Sequence, residues 1–261
     1  MTTPTDVELG HVLVGLIQPH TGYEHRFHRW YERDHLYRAG KAAPGTIGAS
    51  LWVAPPDLRT LREPSGANAI SGSAEAGSHL STFFIQQDQL DEQQAWVAER
   101  MEEQRKAGEL FPHRDHLYTH RYRLTTAIRR DADGVPPELA LDRNYRGIAA
   151  TWIARAGAQS LEELESTLRD VALPAFVADS PVELSIVLGL LPKPDSWPDS
   201  IPAPEGLGDR LLVLHFFDAD PREVWQDLLA SLQRHLQFHA AGSLLFASPF
   251  DANVPGRDPE F

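Results

Sequence analysis

The stretch FHRWYERDH, residues 27–35, sets three aromatic rings, two histidines and two carboxylates within nine positions. Histidine titrates near neutrality and is the side chain best suited to move a proton at physiological pH. At about 100° per residue on a helix, Tyr23, Phe27, Trp30, Asp34 and Tyr37 form a core-facing stripe. Tyr31, His28 and His35 border it, with Glu32 and His25 beyond. Asp34 is the carboxylate on this stripe, and a carboxylate taken out of water must find a partner or stay protonated. The expected catalytic set on this helix is therefore His35 with Asp34 and Tyr31, and Phe27, Trp30 and His28 are expected to line the substrate.

A second group lies in HLYTHRY, residues 116–122. Strict strand alternation puts His116, Tyr118, His120 and Tyr122 on one face, a face too polar for a plain core. His116 and His120 are expected to stabilise a developing negative charge, and Tyr118 and Tyr122 to touch substrate. Trp52 and His79 are weaker substrate-binding candidates on neighbouring strands. A metal is not expected. His116 and His120 stand about 13 Å apart at ~3.3 Å per residue, too far to share an ion, and no zinc or calcium motif occurs.

The elements that must hold these residues follow from hydrophobic period and turn signals. Strands are expected at 10–19, 46–55, 78–87 and 115–128, with helices over 21–42 and 90–108. Thr21 and Glu24 have the spacing of a capping box. Residues 56–77, rich in Pro, Gly, Ser and Ala, read as a long loop able to cover a pocket. The order is β-α-β-β-α-β, the ferredoxin-like unit. It recurs after a charged linker, with strands at 145–156, 182–191, 210–219 and 242–250 and helices at 160–179 and 221–238. Module boundaries of 1–130 and 145–261 follow, joined by 131–144. The expected class is α+β: two such modules in tandem duplication, whose antiparallel sheets cover each other within the chain, with pairing between two copies in a homodimer as the alternative.

The pattern F-x-x-W-Y-x-x-(D/E)-H after a first strand, followed by Pro44-Gly45 opening the second, resembles the dimeric α+β barrel superfamily and in particular its EthD-like branch. The matching residues are Phe27, Trp30, Tyr31, Asp34, His35, Pro44 and Gly45. His28 departs from the asparagine common at its position, and the second half lacks the motif, so the first half is taken as site-bearing. The resemblance implies that the two sheets close into an α+β barrel, with a pocket between helix and sheet, and a cofactor-independent isomerase, cyclase or lyase, or a monooxygenase-like enzyme, acting on a small apolar cyclic or polyketide-like carbonyl compound. Haem is the main cofactor alternative, with His215, His235 and His239 as candidate ligands. A non-catalytic small-molecule binder is the third reading.

Composition bounds these readings. The chain of 261 residues carries 24 basic and 37 acidic side chains, a net charge of -13, and three lysines. Such a balance disfavours a nucleic-acid or anionic-membrane surface. No cysteine is present, which excludes disulfides, thiolate nucleophiles and iron–sulfur clusters. No Walker loop, dinucleotide fingerprint or serine elbow occurs. No apolar run reaches the ~20 residues of a membrane span, and the N-terminus has no secretory pattern. The expected location is the cytoplasm.

Overall fold

The computed structural model describes residues 7–261; residues 1–6, part of the N-terminus read above for a secretory signal, lie outside that range. Eight strands form a closed barrel: β1 (Leu9–Pro19), β2 (Thr46–Val53), β3 (His79–Gln86), β4 (Arg114–Arg129), β5 (Gly147–Ala154), β6 (Val182–Leu190), β7 (Arg210–Phe217) and β8 (Ser243–Ala252). Around the barrel they run β1-β3-β2-β8-β5-β7-β6-β4 and back to β1. Every pairing is antiparallel. Each half supplies four neighbouring strands. The two sets join at β2–β8 and at β4–β6, so the barrel closes within one chain. The β2–β8 seam is the narrow one, two residue pairs long, Asp251 with Val53 and Ala252 with Trp52.

Alternation sorts each strand's residues between two environments. Val12, Val14 and Leu16 of β1 enter the barrel core with Phe84, Trp152, Leu188, Leu214 and Phe246. Leu13, Gly15 and Ile17 face outward, where α1 (Glu24–Trp30), continued by Tyr31–Lys41, and α2 (Leu90–Ala107) pack. A second outer core lies under the helical segment Leu161–Ala178, which we label α3, and α4 (Pro221–Phe238). Ser160 caps α3 through a full capping box with Glu163, one net hydrogen bond each way. α2 ends at Gly108 in the left-handed region, φ 70°, where glycine carries no Cβ penalty.

Three expectations change. The Thr21–Glu24 capping box does not form: Tyr23 precedes the helix and makes no side-chain cap. From Tyr31 to Lys41 the helix is wound as a π-helix, as in the Ala42 N–H bond to the Tyr37 carbonyl, 2.9 Å. Bonding to i−5 puts more residues in each turn and rotates every later side chain away from its α-helical bearing. Tyr37, expected on the core stripe, is consequently 48% exposed, and Leu36, Ala39 and Gly40 are buried in its stead. Residues 56–77, finally, are not a free lid. They hold a helical turn at Pro56–Arg59, a small hairpin and a buried arginine. Arg62 donates to the carbonyls of Ala74, Ala76 and Gly77 at 2.8, 2.5 and 2.6 Å and to Ser248 Oγ at 2.8 Å.

Gly40 shows how closely α1 approaches the sheet, since a Cβ there would overlap the Phe83 ring. Gly40→Ala should lower unfolding free energy by ~1–3 kcal/mol, the usual cost of overpacking a filled core. Urea denaturation measures this, and an unchanged midpoint would mean that the helix can shift clear of the sheet at no cost.

Candidate active site

Seven of the sequence-selected residues meet under α1. Phe27 is buried, with its ring centroid 5.5 Å from Tyr31, 5.9 Å from Trp30 and 4.9 Å from His79. These rings divide the site into two polar groups. A cavity of about 20 Å³, room for one water, lies under α2 against Leu13, Gln94, Arg121 and Trp197.

The first group centres on His35. Its ring stacks on Trp30 at 4.6 Å and 24° and meets the edge of Tyr31 at 4.9 Å. Its Nδ1 is buried with no hydrogen-bond partner, although the side chain as a whole keeps partial solvent contact. Burial, then the positive charge of Arg114, then His116, push His35 down to about 3. The imidazole is therefore neutral at physiological pH, with a free nitrogen. Trp30 is held by its own N–H, which donates to the Glu109 carbonyl at 3.0 Å. Burial raises the Tyr31 hydroxyl to about 12, against a hydrogen bond with Ser81 that acts in the opposite direction. Gly15 makes this contact possible, because a Cβ there would come within 2.7 Å of Ser81 Oγ.

His116 joins this group through a break in strand regularity. Leu16 pairs with Tyr118 but Ile17 pairs with His116, leaving Leu117 as an extra residue. Such a bulge re-aims the side chains on one side of it. His116 thus faces α1, while Tyr118 and Tyr122 enter the barrel core. Arg114 Nε donates to His116 Nε2 at 3.3 Å, which puts the ring proton on Nδ1, facing Thr119 Oγ1 at 3.0 Å. His116 is lowered to about 4, first by burial and then by Arg114. The Arg114 guanidinium also lies over the Trp30 ring, 5.0 Å from its centroid.

The second group is a buried string. Ser78 Oγ lies 2.9 Å from His79 Nδ1, His79 Nε2 lies 3.3 Å from His28 Nδ1, and His28 Nε2 lies 3.6 Å from Glu32. Both imidazoles are fully buried, and burial is the leading cause of their lowered pKa values. The C-terminal segment covers the string. The Gly256 N–H donates to Glu32 at 3.1 Å, Arg29 donates to Asp258 at 2.9 Å, and the Phe261 ring lies 5.0 Å from His79.

Five sequence-selected residues fall elsewhere. Asp34 pairs with Arg38 at 3.1 Å on the helix exterior. Trp52 faces the barrel core and donates to Thr82 Oγ1 at 3.1 Å. Tyr118, His120 and Tyr122 are on the inner side of the sheet. Arg114 and Ser78 are the neighbours of the site that sequence reasoning missed, and Glu32, read there as lying beyond the stripe, meets His28. A same-face i,i+2 reading of R-D-H would have found Arg114.

Of the histidines weighed for haem, His215 is fully buried with both ring nitrogens engaged, facing Thr151 Oγ1 at 3.0 Å and Ser185 Oγ at 2.8 Å. His235 faces Asp179 at 3.4 Å and stacks with His239 at 6.1 Å. Among the described residues no group of three or more His, Asp or Glu side chains is arranged to hold a metal ion. No helix of the described residues is long and apolar enough to cross a membrane.

No family model matches the chain, and no curated protein does. Solved structures do, over nearly its whole length. An anthrone oxidase-like protein aligns with TM-score 0.53 and 12% identity, covering 97% of this chain and 96% of its own. A protein from Fusobacterium nucleatum assigned as a monooxygenase gives 0.52 and 7%, covering 97% and 98%. A protein assigned as a chlorite dismutase gives 0.51 and 10%, covering 95% and 97%. At these identities the likeness is one of fold, the α+β barrel.

The buried histidines give the fold a defined acid response. His35 and His215 are lowered to about 3, and His116 and His120 to about 4. Unfolded, each would titrate near 6.5. Below that pH the unfolded chain takes up protons that the fold refuses, so stability is full above pH 6.5 and falls as the pH drops toward 4. Each histidine contributes up to ~1.4 kcal/mol per pH unit across that window. Urea unfolding at pH 7, 6 and 5 should show the decline; a flat profile would contradict the neutral assignment.

Proposed function

We propose that the chain is a cofactor-independent acid/base enzyme acting on a small, largely apolar ring compound with an enolisable carbonyl. His35 is the proposed base. The observation that carries this reading is the free, buried Nδ1 of a neutral imidazole beside a cationic guanidinium. In the proposed step, His35 takes a proton from the carbon next to the carbonyl, and the C–H electron pair moves to the carbonyl oxygen. Arg114 faces the resulting enolate. Returning the proton at another carbon completes an isomerisation or sets up ring closure. A ring held at about 3 is a weak base in the free protein, and the enolate's negative charge is what raises it during the step. Tyr31, kept protonated by burial, is the second hydrogen-bond donor. Trp30 and Phe27 supply the aromatic wall.

The repeated strand and helix order supports an origin by tandem duplication, and the residues from Phe27 to Gly45 support a place in the EthD-like branch. The anthrone oxidase-like neighbour fits a ring ketone as the substrate class.

Proton abstraction can be followed without knowing the natural product. Wild-type protein in D2O should speed deuterium incorporation next to the carbonyl of 1-tetralone, read by NMR. His35→Gln should lower the protein-dependent rate by about 10²–10⁴, the usual range for general-base catalysis. Asp34→Asn should leave it unchanged. Equal exchange with wild type and His35→Gln would end the proposal.

A further inference from the structure

The inner face of the barrel carries a second set of polar side chains that the reaction above does not use. Tyr118, His120 and Tyr122 of β4 are 4%, 3% and 1% exposed, and Trp152 of β5 is 0% exposed. Tyr118 meets His120 edge-on at 4.3 Å and Trp152 at 5.7 Å. Arg210, the first residue of β7, shares the inward parity of Leu212 and Leu214. Its charge acts on His120, Tyr118 and Tyr122 alike.

Both tyrosine hydroxyls, the Trp152 indole N–H, His120 Nδ1, and Nε and Nη1 of Arg210 are all buried and make no hydrogen bond of full geometry. They lean on one another instead: Tyr118 on Tyr122, Trp152 and Arg210, and Tyr122 on Trp152. A buried polar group without a well-formed bond is costly, and a cluster with more donors than acceptors leaves donors for a further acceptor. Their chemistry has one sign. The indole and guanidinium nitrogens only donate, the tyrosines are held protonated, and the forces on His120 include the Arg210 cation but no carboxylate.

We infer a second binding site at this mouth of the barrel, for the carboxylate of a small organic acid. Arg210 supplies the charge, and Tyr118, Tyr122, Trp152 and His120 supply the donors. One net positive charge matches a monoanion. Leu190 and Leu212 of the same core offer an apolar wall to the rest of the molecule. The loop 192–209 covers this end: Gly206, at φ 72°, packs its backbone where a Cβ would overlap the Arg210 guanidinium. Trp197 of the same loop stacks over Arg121 at 5.9 Å. The inferred site and His35 lie on opposite faces of one sheet, and neither depends on the other.

Benzoate is the probe, titrated by calorimetry into the full chain at constant ionic strength, with sodium chloride as the control anion. Wild type and His35→Gln should bind it saturably with equal affinity. Arg210→Met should weaken binding by about tenfold or more, the loss of a charge-assisted hydrogen bond, and Tyr122→Phe should weaken it measurably. Should Arg210→Met fail to fold, Tyr122→Phe carries the test alone. Absence of saturable binding to wild type, full affinity in both variants, or chloride binding as tightly as benzoate would each overturn the inference.

Discussion

Closure of an eight-stranded sheet on itself is the constraint from which the rest of the molecule follows. Once β2 bonds to β8 and β4 to β6, the sheet is continuous around the barrel and strand side chains alternate between its interior and the helices. The inner positions must fill one shared core, to which both halves of the chain contribute. The outer positions are covered by helices half by half. A residue's chemistry then depends on parity: His116 outside meets Arg114 and Thr119, while His120 inside meets Tyr118.

Much of this was legible from the chain alone. Alternating apolar runs and turn residues located all eight strands to within a few positions; the repeated β-α-β-β-α-β order led to two sheets that cover each other, and the resemblance carried by residues 27–45 led to the barrel they form. The grouping of Phe27, His28, Trp30, Tyr31 and His35 with His79 and His116 was also legible, since aromatic rings and imidazoles on one helix must find cover on the sheet it packs against. The winding of that helix could not be read. A wheel drawn at α-helical pitch assigns Asp34 and Tyr37 to the core, whereas i→i+5 bonding from Tyr31 onward sends Asp34 to Arg38 and Tyr37 to solvent. Period-based reasoning assumes a constant turn, and one inserted turn of another pitch is enough to defeat it.

The bulge at Leu117 is the same lesson for a strand. Two-residue alternation groups His116 with Tyr118, His120 and Tyr122, and a single unpaired residue sends them to opposite faces. What sequence reading takes as one polar cluster is two, separated by the thickness of the sheet.

Arg62 ties early and late parts of the chain together. Its guanidinium is neutralised by no carboxylate; carbonyls from 74–77 and the hydroxyl of Ser248 satisfy it between the rings of Phe246 and Phe250. During synthesis on the ribosome the segment around Arg62 emerges long before Ser248. Until β8 arrives, that cation has no Ser248 to meet and β2 has no neighbour on its open side. The first half therefore lacks both of these contacts until β8 has been made.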